Sequence, residues 1–209
     1  NRPATPRSLT ENGKLIGYGM GGGVFGASRG NATVKAVFTN EGKLLLYSAV
    51  SDMGPGTATA MVSIAAQVMK MPASKISFLL GDTEFPPGPT QGGSTTTSTM
   101  GTAVSLVCDT LKAQLTEIAL KQTSLFSGLT EADLEFDKET ICSKKEATKK
   151  ISLTELLKAS GKPQIEVLKE SGPDPAVRSK YAMNSFSAHF IKVAVDPATG
   201  AIEFLKIVC

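Results

Sequence analysis

Apolar residues recur along the chain in two rhythms, one of period two and one near 3.6, and their order sets the expected architecture. Alternation from Ala32 to Thr39 and an apolar segment from Lys43 to Val50 bracket Asn40-Glu41-Gly42, so the two segments read as a β-hairpin. From Thr57 to Met71 the residues Met61, Ile64, Ala65, Val68 and Met69 form a helical stripe, with Thr57 as the expected N-cap and Pro72 as the stop. A short strand is expected at Ile76 to Leu80. The longest helix then runs from Met100 to Leu120, with Leu106, Val107, Leu111, Leu115 and Ile118 on its apolar face. Upstream, Leu15 to Gly26 holds six glycines and reads as a strand whose backbone lies against another backbone or a ligand.

The remaining segments are shorter. Asp137 to Lys145 reads as a strand pair or turn, and Ser152 with Glu155 forms a capping box for a short helix. Pro173 and Pro175 mark an exposed connector. A second hairpin follows, Ser185 to Val195 and Ala201 to Val208, joined by the turn Asp196 to Gly200. The expected fold class is α+β, with mixed sheets and helices packed on one face. The expected division is an irregular lead-in at 1–13, a unit over 14–122, a variable insertion over 123–180 and the hairpin of a second unit at 181–209.

Composition narrows the function. The 209 residues carry 22 basic and 19 acidic side chains, a net charge of +3, which lacks the concentrated basicity of a nucleic-acid binder. No apolar run is long enough for a membrane span, no signal peptide opens the chain, and a soluble protein is expected. Cys108, Cys142 and Cys209 are widely spaced and read as buried or incidental thiols rather than a zinc site or a disulfide framework. His189, the single histidine, lies in a strand with no partner nearby in sequence and reads as a hydrogen-bonded or half-buried strand residue. Gly17-x-Gly19-x-x-Gly22 matches a dinucleotide fingerprint by letter, but a strand follows it where a helix is required. Neither a nucleophile elbow nor a Walker loop occurs. Asp52 and Asp82 read as turn and capping residues.

Two glycine-bearing turns remain, Asp52-Met-Gly-Pro-Gly-Thr57 and Gly92-Gly-Ser-Thr-Thr-Thr97, each opening onto a helix. Helix N-termini leave several N–H groups free, a cradle for an anion such as a phosphate. Together with Gly81-Asp82-Thr83, Pro86 to Thr90, Ser185-Phe-Ser-Ala-His-Phe190 and Asp196 to Gly200, these turns resemble the molybdenum-binding large subunit of the xanthine dehydrogenase and aldehyde oxidase family. The likeness covers 13–122 and 180–209 and is nearest to bacterial aldehyde oxidoreductases of the isoquinoline oxidoreductase type.

That resemblance implies a molybdenum cofactor-binding domain and a cofactor, molybdopterin cytosine dinucleotide with molybdenum. It implies cofactor contacts from Met53, Gly54, Pro55 and Gly56, and from Gly93, Ser94, Thr95, Thr96 and Thr97, with no catalytic residue and no direct metal ligand in this chain. Where the family reads Met-Gly-Gln-Gly, this chain has Pro55, which offers neither side-chain donor nor backbone N–H. The implied chemistry is hydroxylation of an aldehyde or N-heterocycle, with water as oxygen source. Electrons would pass to iron-sulfur clusters and FAD on partner subunits, and three cysteines agree with the clusters lying elsewhere. The catalytic glutamate of the family belongs to a later motif. The family's large subunits are longer, so the chain reads as a fragment without turnover of its own, at home in bacterial cytoplasm or periplasm. A non-catalytic scaffold or subunit-interface domain of the same fold is the alternative.

Overall fold

The computed structural model describes residues 3–209, so the first two residues of the expected irregular lead-in lie outside the described residues. The strands are β1 (Thr10–Glu11), β2 (Lys14–Gly26), β3 (Ala32–Thr39), β4 (Leu44–Tyr47) and β5 (Ile76–Leu79), then β6 (Leu134–Asp137), β7 (Thr140–Ser143) and β8 (Lys150–Ser152), and finally β9 (Gln164–Ser171), β10 (Asn184–Val195) and β11 (Ile202–Val208). Helices are α1 (Thr57–Met69), α2 (Thr96–Gln122), α3 (Leu153–Ala159) and the short α4 (Pro175–Lys180). Contacts divide the chain into two compact units, one of residues 28–177 and one combining 1–27 with 178–209.

The larger unit is built on a sheet in the order β5-β4-β3-β9. The expected hairpin is present: β3 and β4 pair antiparallel, with Val37 opposite Leu45. β4 and β5 pair in parallel, and α1 provides the crossover that parallel neighbours need. Alternation along β3 sends Ala32, Val34, Ala36 and Phe38 into one core, all at most 2% exposed, with α1 and α2 supplying Met61, Met69, Met100, Val107 and Leu111. This single face is where the helices pack. Residues from the expected insertion complete the sheet, because β9 pairs with β3 along its whole length. A smaller sheet, β6-β7-β8, carries the expected hairpin at Asp137 and Thr140. The capping box on α3 forms as read, with the Ser152 hydroxyl accepting from the Glu155 N–H at 3.2 Å.

In the smaller unit the sheet order is β1-β2-β10-β11. The glycine-rich segment is a strand lying against another backbone, paired with β10 from Leu15 opposite Val195 to Gly26 opposite Asn184. Its missing side chains leave the pleat bare at Gly19 and Gly21, where a Cβ would meet nothing within 4 Å. Thr10 and Glu11, expected as irregular, form β1 against β2. The C-terminal hairpin is as expected, with a bulge between Lys192 and Val193.

Candidate cofactor-binding site

The turn before α1 is closed by its own carboxylate. Asp52 accepts from the N–H of Gly54 at 2.9 Å, of Gly56 at 3.3 Å and of Thr57 at 2.7 Å. Those N–H groups, Gly54's first, hold its acid below the usual aspartate range. The expectation of free amides here is therefore corrected: the aspartate already provides the negative charge that the helix end favours. Gly54 at φ 121° and Gly56 at φ 79° give the backbone the left-handed bends that fold the turn over that side chain. Gly56, not Thr57, is the N-cap residue. What the turn shows outward is the Met53 side chain, 69% exposed, and Pro55, which has no N–H.

The turn before α2 is different. Gly93 at φ 62° and Ser94 at φ 57° are both left-handed, and the Thr95 hydroxyl donates to the Gly92 carbonyl at 3.1 Å. The helix begins at Thr96, four residues earlier than expected, so the hydroxyl cluster forms its first turn rather than a loop. Among the described residues no acceptor meets the N–H of Thr96, Thr97 or Ser98, and the Thr95 hydroxyl does not cap the end. These amides point along the positive end of a 27-residue helix.

Gln91 joins the two turns. Its Nε2 donates to Thr57 Oγ1 at 3.3 Å, while its Oε1 accepts from Thr96 Oγ1 at 2.8 Å. Both helix N-termini are thus tied by one side chain that reading the sequence did not single out. Its place beside Gly92 and Gly93 was the available signal. Arg29 was missed as well: its Nη1 donates to Thr102 Oγ1 at 3.2 Å, and the next residue, Gly30, donates its N–H to Thr99 Oγ1 at 3.0 Å. A guanidinium therefore lies beside the second turn of α2.

The proline-rich loop between the sites is anchored through its carbonyls. Pro86 O accepts from the Ala49 N–H at 2.7 Å, and Pro87 O from the Thr33 N–H at 2.9 Å. Gly88 lies so close that an added Cβ would stand 2.7 Å from the Val50 nitrogen. This approach fixes where the loop re-enters toward Gln91.

The other sequence candidates lie apart. Asp82 is a turn residue, accepting from the Glu84 N–H at 2.9 Å. Cys108 is buried as read, its thiol pushed up to about 12 by burial. Cys209 is exposed rather than buried, and exposed His189 lies beside it. No group of three or more His, Cys, Asp or Glu side chains suited to a metal occurs among the described residues. No helix among them is long and apolar enough to cross a membrane.

A family model described as the molybdopterin cofactor-binding domain matches residues 1–209. The aldehyde oxidoreductase molybdenum-binding subunit PaoC of Escherichia coli K12 is 23% identical over 202 residues, 97% of this chain and 26% of the relative. Among solved structures, CO dehydrogenase from Oligotropha carboxidovorans aligns with a TM-score of 0.74 at 23% identity, over 93% of this chain and 25% of that one. Quinoline 2-oxidoreductase from Pseudomonas putida 86 aligns with a TM-score of 0.75 at 15% identity, over 93% of this chain and 26% of that one. The chain thus spans about a quarter of the length of these relatives, and the structural likenesses establish its fold. With the family model covering its whole length, the chain belongs to the molybdopterin cofactor-binding domain family.

Proposed function

We propose that the domain holds the dinucleotide form of molybdopterin, molybdopterin cytosine dinucleotide, within a molybdenum hydroxylase. The observation that carries this reading is the first turn of α2, where the N–H groups of Thr96, Thr97 and Ser98 have no partner among the described residues. Such an end fits a pyrophosphate, because unpaired amides and the helix dipole both favour negative charge. Gly93 and Ser94 shape the approach through their positive φ, and Arg29 adds a cation nearby.

The α1 turn fits the group differently. Asp52 consumes its amides and excludes an anion, so Met53, Gly54, Pro55 and Gly56 would meet only a neutral edge of the cofactor. When bound, the cofactor supplies a two-electron redox centre for hydroxylating an aldehyde or N-heterocycle, with iron-sulfur and FAD subunits as partners. This chain's residues bind and orient it. The isolated chain has negligible hydroxylase activity in this reading, and turnover of an aldehyde with a dye acceptor would count against that.

The test uses the complete subunit. Molybdenum and cytidine nucleotide released by acid are quantified per chain for the wild type and for Gly93→Val, alongside a melting curve. Loss of both contents from a folded variant supports the reading. A second reading, a non-catalytic scaffold or subunit-interface domain of the same fold, is favoured by the closed Asp52 turn and by Pro55. It expects a folded wild-type subunit with neither molybdenum nor nucleotide.

A further inference from the structure

The hydroxyls of Thr95, Thr96 and Ser98 border the open first turn of α2, and their protons are held in two different ways. Thr95 donates to the Gly92 carbonyl at 3.1 Å, and Ser98 donates to the carbonyls of Ser28 at 3.1 Å and Thr95 at 2.9 Å. Backbone carbonyls only accept, so these two protons are fixed. Thr96 differs: its Oγ1 donates at 2.8 Å to the side chain of Gln91. Helix side chains lean toward the N-terminus, which sets this hydroxyl beside the free amides of Thr96, Thr97 and Ser98.

An amide side chain has a donor end and an acceptor end of nearly the same size, so it fits one space either way round. With Oε1 toward Thr96, the Gln91 Nε2 donates to Thr57 Oγ1 at 3.3 Å. In this orientation the Thr96 proton faces Gln91, which leaves only lone pairs for a ligand over the first turn. The Thr57 hydroxyl, on a residue 5% exposed, donates to no acceptor among the described residues. Turned round, Nε2 donates to Thr96 Oγ1, the Thr57 proton goes to Oε1, and the Thr96 proton is released toward the first turn. Both hydroxyl protons then have acceptors, provided that an anion stands over α2. The heavy atoms keep their places.

On the reading that the dinucleotide binds at this turn, we propose that Gln91 is a positioning residue for it: the amide reverses on binding and makes the Thr96 hydroxyl a donor to a phosphate oxygen. A hydrogen bond to a charged acceptor is stronger than one between neutral groups, so the exchange favours the bound state. Gln91 acts through Thr96 and does not itself touch the phosphate.

The complete subunit is purified and dialysed, and released cytidine nucleotide is quantified per chain alongside melting curves. In Gln91→Glu the carboxylate accepts from both hydroxyls, which keeps the helices tied while holding the Thr96 proton permanently. Its melting curve should overlay the wild type, with nucleotide at about a tenth or less. Thr96→Val removes the donor itself and should fall to about the same level. The added charge of Gln91→Glu is separated from its hydrogen bonding by the double variant: the fold loss that Gln91→Glu causes should be at least about fivefold smaller in the Thr96→Val background. Wild-type nucleotide in either folded single variant, or an undiminished effect of Gln91→Glu in the Thr96→Val background, would overturn the proposal. A wild-type subunit without nucleotide would overturn the cofactor reading itself.

Discussion

Asp52 precedes the residues it caps by two to five positions, and the carboxylate reaches them because Gly54 and Gly56 turn left-handed beneath it. The N–H bonds favour its ionised form, so its acid is stronger folded than unfolded. Its contribution to stability is therefore complete above the ordinary aspartate range of about 4 and is lost as pH falls through the lower folded value. Asp52→Ala should melt below the wild type at pH 7, and the gap should close on acidification toward pH 3; thermal melts across that range check it. Capping was legible from the residue type, whereas the amides it takes depend on glycine φ angles that spacing does not reveal. Gly88 is another residue whose role is purely spatial. Gly88→Ala places a methyl against the Val50 backbone, a contact that no rotamer relieves, and should cost about 1–3 kcal/mol in denaturant titrations.

Elements were legible where burial imposes a period. β3 followed its alternation, and α1 and α2 their stripes, since each has one buried face or stripe, although Leu106, read as part of the α2 stripe, is 39% exposed. β10 and β11 formed where their alternation placed them, with every residue of β11 exposed and Ala194 the one buried residue of β10. The start of α2 was misplaced because Thr96 to Thr99 are residue types that favour caps and turns, and buried Thr99 with Met100 held them helical. Local sequence is also silent on partnership: nothing in Leu15 to Gly26 names β10, and nothing in Gln91 names Thr57. Gln91→Ala unties the two helix N-termini and should cost about 1 kcal/mol, with partial loss of bound nucleotide from the complete subunit. By contrast, Ser152→Ala should cost about 1 kcal/mol by removing the α3 cap while leaving nucleotide content unchanged. Denaturant midpoints and nucleotide content, measured on the same samples, separate the two.

At the scale of the whole molecule, stability is unevenly spread. Among the described residues the buried apolar side chains fall almost entirely within 28–177, whereas in the other unit only Ile16 and Ala194 are among them, and Phe186 is 85% exposed. Amide exchange should therefore be faster along β2, β10 and β11 than along β3 and the middle of α2, where opening requires loss of the core. In the proposed function the unit of 28–177 matters, because the well-buried α2 holds up its first turn as the donor surface for the cofactor. That claim is tested most directly by the cytidine nucleotide released per chain from the complete subunit carrying Gly93→Val. A side chain at φ 62° reshapes the turn at a cost of about 1–2 kcal/mol, so nucleotide should fall to about a tenth or less of wild type while the protein stays folded. Wild-type nucleotide and molybdenum content in that folded variant would contradict the account.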